Sequence, residues 1–297
     1  MEGALESLCS LFKKIVVLTV YAPAKINLVL EVLGKTNAYH QISSIVQSID
    51  LCDVLYFQLE EEICFECTEP SLKHDNLVTR AAALLKESTK YSRGARIELR
   101  KHIPWAVGLG GGSSDAAATL IALNDLWGLG LPLSELVHLA SKLGSDVPFF
   151  IYKGTALIEG KGEKVTPLPP MSSISFVLLV PPLPKMSDKT KQMYSNLRVV
   201  DFTERQFVQQ ALIPLRQGKT IQYDLIFNVF EKMAFHFFPK LNEYRKVLKE
   251  EGAPRVYLAG SGPCLFTFFS EAKEAGGLFS RLQKRNLQCY LAFSFPK

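Results

Sequence analysis

The chain has 297 residues, of which 47% are hydrophobic and 21% charged, and it carries a net charge of +5. That globular balance excludes a disordered chain. With no long lysine or arginine block, the mild basicity excludes a nucleic-acid arm and at most aids an anionic ligand. At this length two domains are a better expectation than one.

In chain order, Glu2 and Glu6 break the pattern of a secretory leader, and the apolar stretch Ile15–Val20 is too short to span a bilayer. A soluble, cytoplasmic protein is expected. Ile15–Tyr21 and Ile26–Leu33 read as strands separated by Ala22-Pro23-Ala24-Lys25. Lys25 and Asn27, two apart at a strand start, point to one side. Val54–Leu59, Ile63–Thr68 and Ala95–Arg100 read as further strands. Of the six cysteines, Cys64 and Cys67 alternate with Ile63 and Phe65 and have no second pair at zinc spacing, so reduced thiols are expected. Asp75 or Asn76 caps a helix from Leu77 to about Lys86, with Leu77, Ala81, Leu84 and Leu85 on one face.

A glycine-rich run leads the next helix, to about Trp127, and a second helix spans Ser134–Leu143 and stops at Gly144. Asp146 then falls between a helix end and the apolar strand Phe149–Tyr152, where a carboxylate is either paired or functional. Pro-rich stretches at Pro167–Pro170 and Pro181–Pro184 bracket the strand Ile174–Val180 and mark a boundary. Helical stretches follow from Thr203, over Asp224–Phe238 and over Leu241–Glu251. The end reads strand (Val256–Leu258), loop (Gly260-Ser261-Gly262), strand (Leu265–Phe269), helix, and a last strand near Tyr290. Strands and helices mix without regular βαβ alternation, so the class is α+β. We divide it into a mixed N-terminal domain (1–165) and a C-terminal α/β sandwich (166–297).

The glycine-rich run is the most informative segment: Pro104, Trp105, Ala106, Val107, Gly108, Leu109, Gly110, Gly111, Gly112, Ser113, Ser114, then Asp115. Its glycines strip side chains from the backbone, so N–H groups can turn toward a ligand. The two serines and Asp115 then start a helix whose first N–H groups lack partners. Such a terminus suits a phosphate chain. No Gly-Lys-Ser/Thr closes the run, and it lacks the Gly-x-Gly-x-x-Gly spacing of a dinucleotide fold. Gly260-Ser261-Gly262 is a second bare-backbone turn.

Pro23–Leu28, Pro104–Asp115 and Gly260–Gly262 resemble, in order and spacing, the three motifs of the GHMP family of small-molecule kinases. The resemblance implies a two-domain fold: an N-terminal α+β domain with a phosphate loop, and a ferredoxin-like C-terminal sandwich on the substrate side. It also implies ATP and Mg²⁺ as cofactors. Segments Ala22–Leu28, Gly34–His40, Asp75–Leu77, Leu143–Pro148 and Glu159–Glu163 are similar to one branch of the family, whose alcohol substrate carries a cytidine diphosphate.

On that resemblance, Pro104 through Ser114 wrap the ATP triphosphate, and Lys25 and Asp146 flank the acceptor hydroxyl. Asp146 is then the general base, Asn27 orients the hydroxyl, and Ser114 is a candidate ligand for Mg²⁺. Tyr39 stacks on the cytosine, His40 reads its edge, and Thr190, Tyr194, Gly260, Ser261 and Gly262 complete the substrate side.

Three features depart from the family pattern. Asn228-Val229-Phe230-Glu231 stands where Asn-Asp-Leu-Glu is usual, Pro263 follows the third motif, and about 15 residues precede the first strand. Another alcohol kinase of the family, or a non-catalytic sensor of the same fold, remains an alternative. No nucleic acid, membrane or obligate protein partner is expected.

Overall fold

Two long strands set the frame, in a computed structural model that describes residues 17–295 apart from 37, 38, 74, 75, 185 and 187. The N-terminal extension and Asp75 lie outside the described residues. Strands β1 (Leu18–Lys35) and β2 (His40–Glu60) pair antiparallel from end to end. The break expected at Ala22–Lys25 does not occur. Pro23 cannot donate to a ladder, yet it sits where the register shifts, between Pro23 and Ala24, so the strand bends without ending. The first half of β2 escapes a reading by alternation, because Ile42–Ile49 are buried without interruption.

Along β1, Ala24, Ile26 and Leu28 pack into the core shared with a second sheet. Lys25 and Asn27 point the other way. A further shift between Asn27 and Val29 reverses the alternation, so Leu30 and Val32 pack into the core that the helices share.

A parallel crossover follows, from β3 (Cys64–Cys67) through α1 (Leu77–Thr89) to β4 (Gly94–Arg100). Asn76 is the cap of α1, its Oδ1 accepting from the Thr79 N–H at 2.9 Å. Next come α2 (Gly111–Leu126), α3 (Leu133–Leu143) and α4 (Val147–Tyr152), then β5 (Thr155–Gly160) and β6 (Lys164–Pro167). Helix α4 replaces the strand expected at Phe149–Tyr152. A short apolar run does not tell strand from helix, and Pro148 in the first turn, where no N–H is needed, favours the helix.

The remaining elements are β7 (Ser175–Leu179), α5 (Lys189–Ser195), α6 (Gln206–Leu215), β8 (Phe227–Asn228), α7 (Glu231–Phe237), α8 (Leu241–Glu250), β9 (Tyr257–Leu258), β10 (Leu265–Phe269), α9 (Ala272–Lys284) and β11 (Cys289–Phe293). The helix expected over Asp224–Phe238 is divided, because β8 leaves it to pair parallel with β1 at Val29 and Leu30. The first sheet therefore has seven strands, ordered β3-β4-β2-β1-β8, with β5 on β2 and β6 on β5. The other four form an antiparallel sheet, β11-β7-β10-β9. This is the order of a βαββαβ unit, the expected ferredoxin-like sandwich.

The two sheets are tied by a bridge between Ile49 and Ser294 and by the Phe295 N–H donating to the Ser48 carbonyl at 2.8 Å. A second tie starts from Glu31, fully buried on β1. Its carboxylate accepts the N–H groups of Phe207 (3.3 Å) and Val208 (2.8 Å) at the start of α6. Arg205, at the cap position of α6, supplies no side-chain cap. No helix among the described residues is long and apolar enough to cross a membrane.

Candidate active site

The glycine-rich run closes around α2. Gly110 (φ +74°) is the cap, in a left-handed geometry that only glycine adopts cheaply, and the helix begins at Gly111. It thus starts earlier than expected, and Ser113, Ser114 and Asp115 lie within its first turns. The Ser114 N–H is the first to close, onto the Gly110 carbonyl at 3.0 Å. The N–H groups of Gly111, Gly112 and Ser113 come before that point and have no partner within the helix. Gly108 (φ +96°) passes so close to the third motif that a Cβ there would lie 2.0 Å from the Ala259 carbonyl oxygen. The two bare turns are packed against each other, with the Cys264 N–H donating to Val107 at 3.3 Å.

Lys25 enters this junction from β1. Its N–H donates to the Leu109 carbonyl at 3.0 Å, and its ammonium donates to Asn27 Oδ1. Asn27 is held in turn: its Nδ2 donates to Ser44 Oγ at 3.0 Å, and Ser44 donates to the Val29 carbonyl at 2.6 Å. Lys25 and Asn27 therefore form one oriented pair, both side chains buried. Burial lowers the Lys25 pKa, and the Asp146 carboxylate acts against that shift. Asp146 follows a helix end, as expected, but leads into helix α4 and not a strand, and it sits exposed at the cap position of that helix. Lys25, Asn27, Asp146, Gly110 and Ser261 all line one cavity of about 1060 Å³.

The same cavity is lined by Tyr39, which is exposed, and by His40, which stacks at a tilt on Tyr194 with ring centroids 5.1 Å apart. Tyr194 meets Phe230 edge-on at 4.9 Å. Burial, with Lys35 nearby, lowers the His40 pKa, which favours the neutral imidazole. Burial raises that of Tyr194, assisted by Asp146, and keeps the phenol neutral. Thr190 Oγ1 and Ser261 Oγ share a hydrogen bond of 2.9 Å, joining α5 to the third motif. Most of the sequence-predicted residues of both sides thus line one space, but Val107, Ser114 and Gly262 do not reach its wall, and Val107 and Ser114 are buried behind it.

Ser114 Oγ is buried in the first turn of α2 with no hydrogen-bond partner among the described residues, and Ser114 itself does not line the cavity. No group of three or more His, Cys, Asp or Glu among the described residues could hold a metal. This donor set fits a cation held mostly by phosphate oxygens and not one caged by the protein.

Sequence reasoning missed several residues that build the site. Asn228 Nδ2 donates to the carbonyls of Leu258 (2.9 Å) and Gly260 (2.8 Å), so β8 carries the third motif. Lys101 bridges the buried carboxylates of Asp53 and Asp115 beneath the glycine-rich run. Lys189 reaches two loops at once. Only Asn228 left a trace, in the match of Asn228–Glu231 to a family segment; the others gain their meaning from contacts far along the chain.

The family profiles described as GHMP kinases N terminal domain and GHMP kinases C terminal match residues 76–154 and 205–287. The chain belongs to the GHMP kinase family, with its mixed α+β, two-domain fold. Among its relatives, 4-diphosphocytidyl-2-C-methyl-D-erythritol kinase of Dehalococcoides mccartyi is 44% identical over 276 residues, 92% of this chain and 97% of that protein. The kinase of the same name from Symbiobacterium thermophilum is 38% identical over 264 residues, 88% of this chain and 93% of its own. A crystal structure of 4-(cytidine 5'-diphospho)-2C-methyl-D-erythritol kinase superposes with a TM-score of 0.78 at 31% identity, covering 93% of this chain and 98% of that one. Homoserine kinase from Cytophaga hutchinsonii reaches 0.70 at 17% identity, over 94% of this chain and 95% of its own, a likeness of fold alone.

Proposed function

We propose that this chain transfers the γ-phosphoryl group of ATP to the 2-hydroxyl of 4-diphosphocytidyl-2-C-methyl-D-erythritol, in the non-mevalonate supply of isoprenoid precursors in the cytoplasm. The observation that carries the reading is the buried Lys25–Asn27 pair beside the open end of α2, with Asp146 on the same cavity. Identity of 44% to a kinase of that name supports the choice of substrate.

Phosphoryl transfer asks the protein mainly for positioning and charge stabilisation. The free N–H groups of Gly111, Gly112 and Ser113 receive phosphate oxygens. Asn27, fixed by Ser44, orients the acceptor hydroxyl. Asp146 takes the hydroxyl proton as the oxygen bonds to the γ-phosphorus and the bond to the ADP oxygen breaks. Lys25 balances the charge that gathers there. A Mg²⁺ ion bound with the nucleotide would neutralise phosphate charge, and Ser114 Oγ in the first turn of α2 would be the candidate protein oxygen to hold it.

The cytosine lies against Tyr39 and the Tyr194 ring, where the neutral His40 imidazole offers a donor and an acceptor to its edge. In this reading residues 1–165 carry the nucleotide and the catalytic pair, and residues 166–297 complete the substrate side.

The test is ADP release with ATP, Mg²⁺ and the cytidyl substrate, run beside galactose, homoserine and mevalonate. Turnover on the cytidyl substrate alone is expected. Turnover on another alcohol would overturn the roles of Tyr39 and His40, and ATP binding without turnover on any would make the chain a sensor.

A further inference from the structure

Lys189, at the start of α5, is a buried cation with no counter-ion among the described residues. Its side chain lies inside the protein, 7% exposed, and its ammonium donates to the carbonyls of Ala106 (2.8 Å) and Gly262. The first carbonyl belongs to the glycine-rich run and the second to the third motif, so one side chain spans both bare turns. An ammonium has three donors, and these carbonyls use two.

The charged or titratable groups facing it are Lys25 from β1, of the same sign, and the Cys264 thiol, which burial pushes up to about 12 and so keeps neutral. No carboxylate among the described residues forms an ion pair with it. Burial, reinforced by Lys25, lowers its pKa to about 8. A buried cation met only by carbonyl oxygens is costly, and an anion drawn alongside relieves that cost. Lys189 also lines the cavity that holds Lys25 and the end of α2.

We propose that Lys189 is a phosphate-binding residue, its third donor taken by an oxygen of the ATP polyphosphate where the glycine-rich run meets the third motif. The inference rests on the kinase reading above. Both substrates carry phosphate oxygens. The bond to Ala106, inside the run that wraps the nucleotide in that reading, favours ATP, while the bond to Gly262 touches the loop that reading sets on the substrate side, so the experiment reads both ligands.

The experiment compares wild type with Lys189→Met and Lys189→Arg. It reads the Kd of ATP and of adenosine by calorimetry without acceptor, and the KM of each substrate in turnover. Loss of a charge-assisted hydrogen bond is expected to weaken ATP binding in Lys189→Met by about 10–100-fold. Adenosine binding and the KM of the cytidyl substrate should stay near wild type, and Lys189→Arg should recover most of the loss.

Wild-type affinity for ATP should also fall as pH rises past 8, where the ammonium loses its proton, and in Lys189→Arg that fall should shrink to whatever Lys25, also lowered by burial, contributes. Unchanged ATP binding in Lys189→Met, or a defect confined to the cytidyl substrate, overturns the proposal. If Lys189→Met does not fold, a pH-dependent fall that persists undiminished in Lys189→Arg overturns it instead. A protein that binds ATP but ignores the cytidyl alcohol refutes the choice of acceptor and leaves the ATP arm readable.

Discussion

Lys25 and Asp146 face the same cavity under opposite conditions. Lys25 is buried and held by Asn27, while Asp146 stands exposed at the start of α4. An exposed carboxylate can be exchanged for its amide with little effect on packing. Asp146→Asn is therefore expected to lower kcat by about 10²–10⁴-fold. The KM of ATP and the melting temperature should barely move. Steady-state kinetics beside thermal unfolding checks this, and an unchanged kcat would remove Asp146 from the role of base. That both would face one site was legible only through the family resemblance of the short motifs that hold them, since spacing alone leaves a strand lysine and a loop carboxylate unremarkable. Lys189 was not legible. A lysine in a polar stretch reads as solvated, and only the approach of two distant loops makes it a buried donor.

At the level of elements, the Asp53–Lys101–Asp115 cluster joins β2, the segment after β4, and α2. Asp53 Oδ1 accepts the N–H groups of His102 (2.6 Å) and Ile103 (2.9 Å), which fixes the approach to the glycine-rich run. Lys101 donates to Asp53, and to Asp115 at 2.8 Å. Burial is the largest influence on Asp115 and raises its pKa to about 8, with Lys101 opposing and Asp53 adding to the rise. The unfolded chain sheds this proton near the ordinary 3.8, whereas the folded state keeps it toward 8. Between those values the folded state binds more protons, so stability falls as pH rises through the window. Asp115→Asn should flatten that part of the profile. Melting temperatures of both proteins across the window test it, and parallel curves would exclude the mechanism.

The elements themselves were read unevenly. Helices with periodic faces, such as α1 and α3, were legible from spacing. Helix α4, too short to show a period, was taken for a strand. The first half of β2 was missed because burial on both faces erases alternation, and β8 because its two residues pair with a strand almost two hundred positions away.

Across the whole molecule, distant segments complete one another. Asn228 brings the third motif to β1, the C-terminal residues close onto β2, and Glu31 caps α6. Removing the Glu31 carboxylate leaves two N–H groups without their acceptor, that of half-buried Phe207 and that of buried Val208. Glu31→Ala is expected to cost about 2–4 kcal/mol. Amide exchange should quicken first in Gln206–Leu215, and uniform loss of protection across the chain would argue against a local cap.

The same cap has a consequence for the order in which the chain acquires its structure. The start of α6 borrows its anion from a residue 176 positions earlier, so closing that loop comes before the helix gains its cap. Non-local contacts of this kind slow folding. In kinetic terms the cap of α6, though not the helix itself, waits for β1, and the amides of Phe207 and Val208 are expected to gain this protection only when Glu31 reaches them.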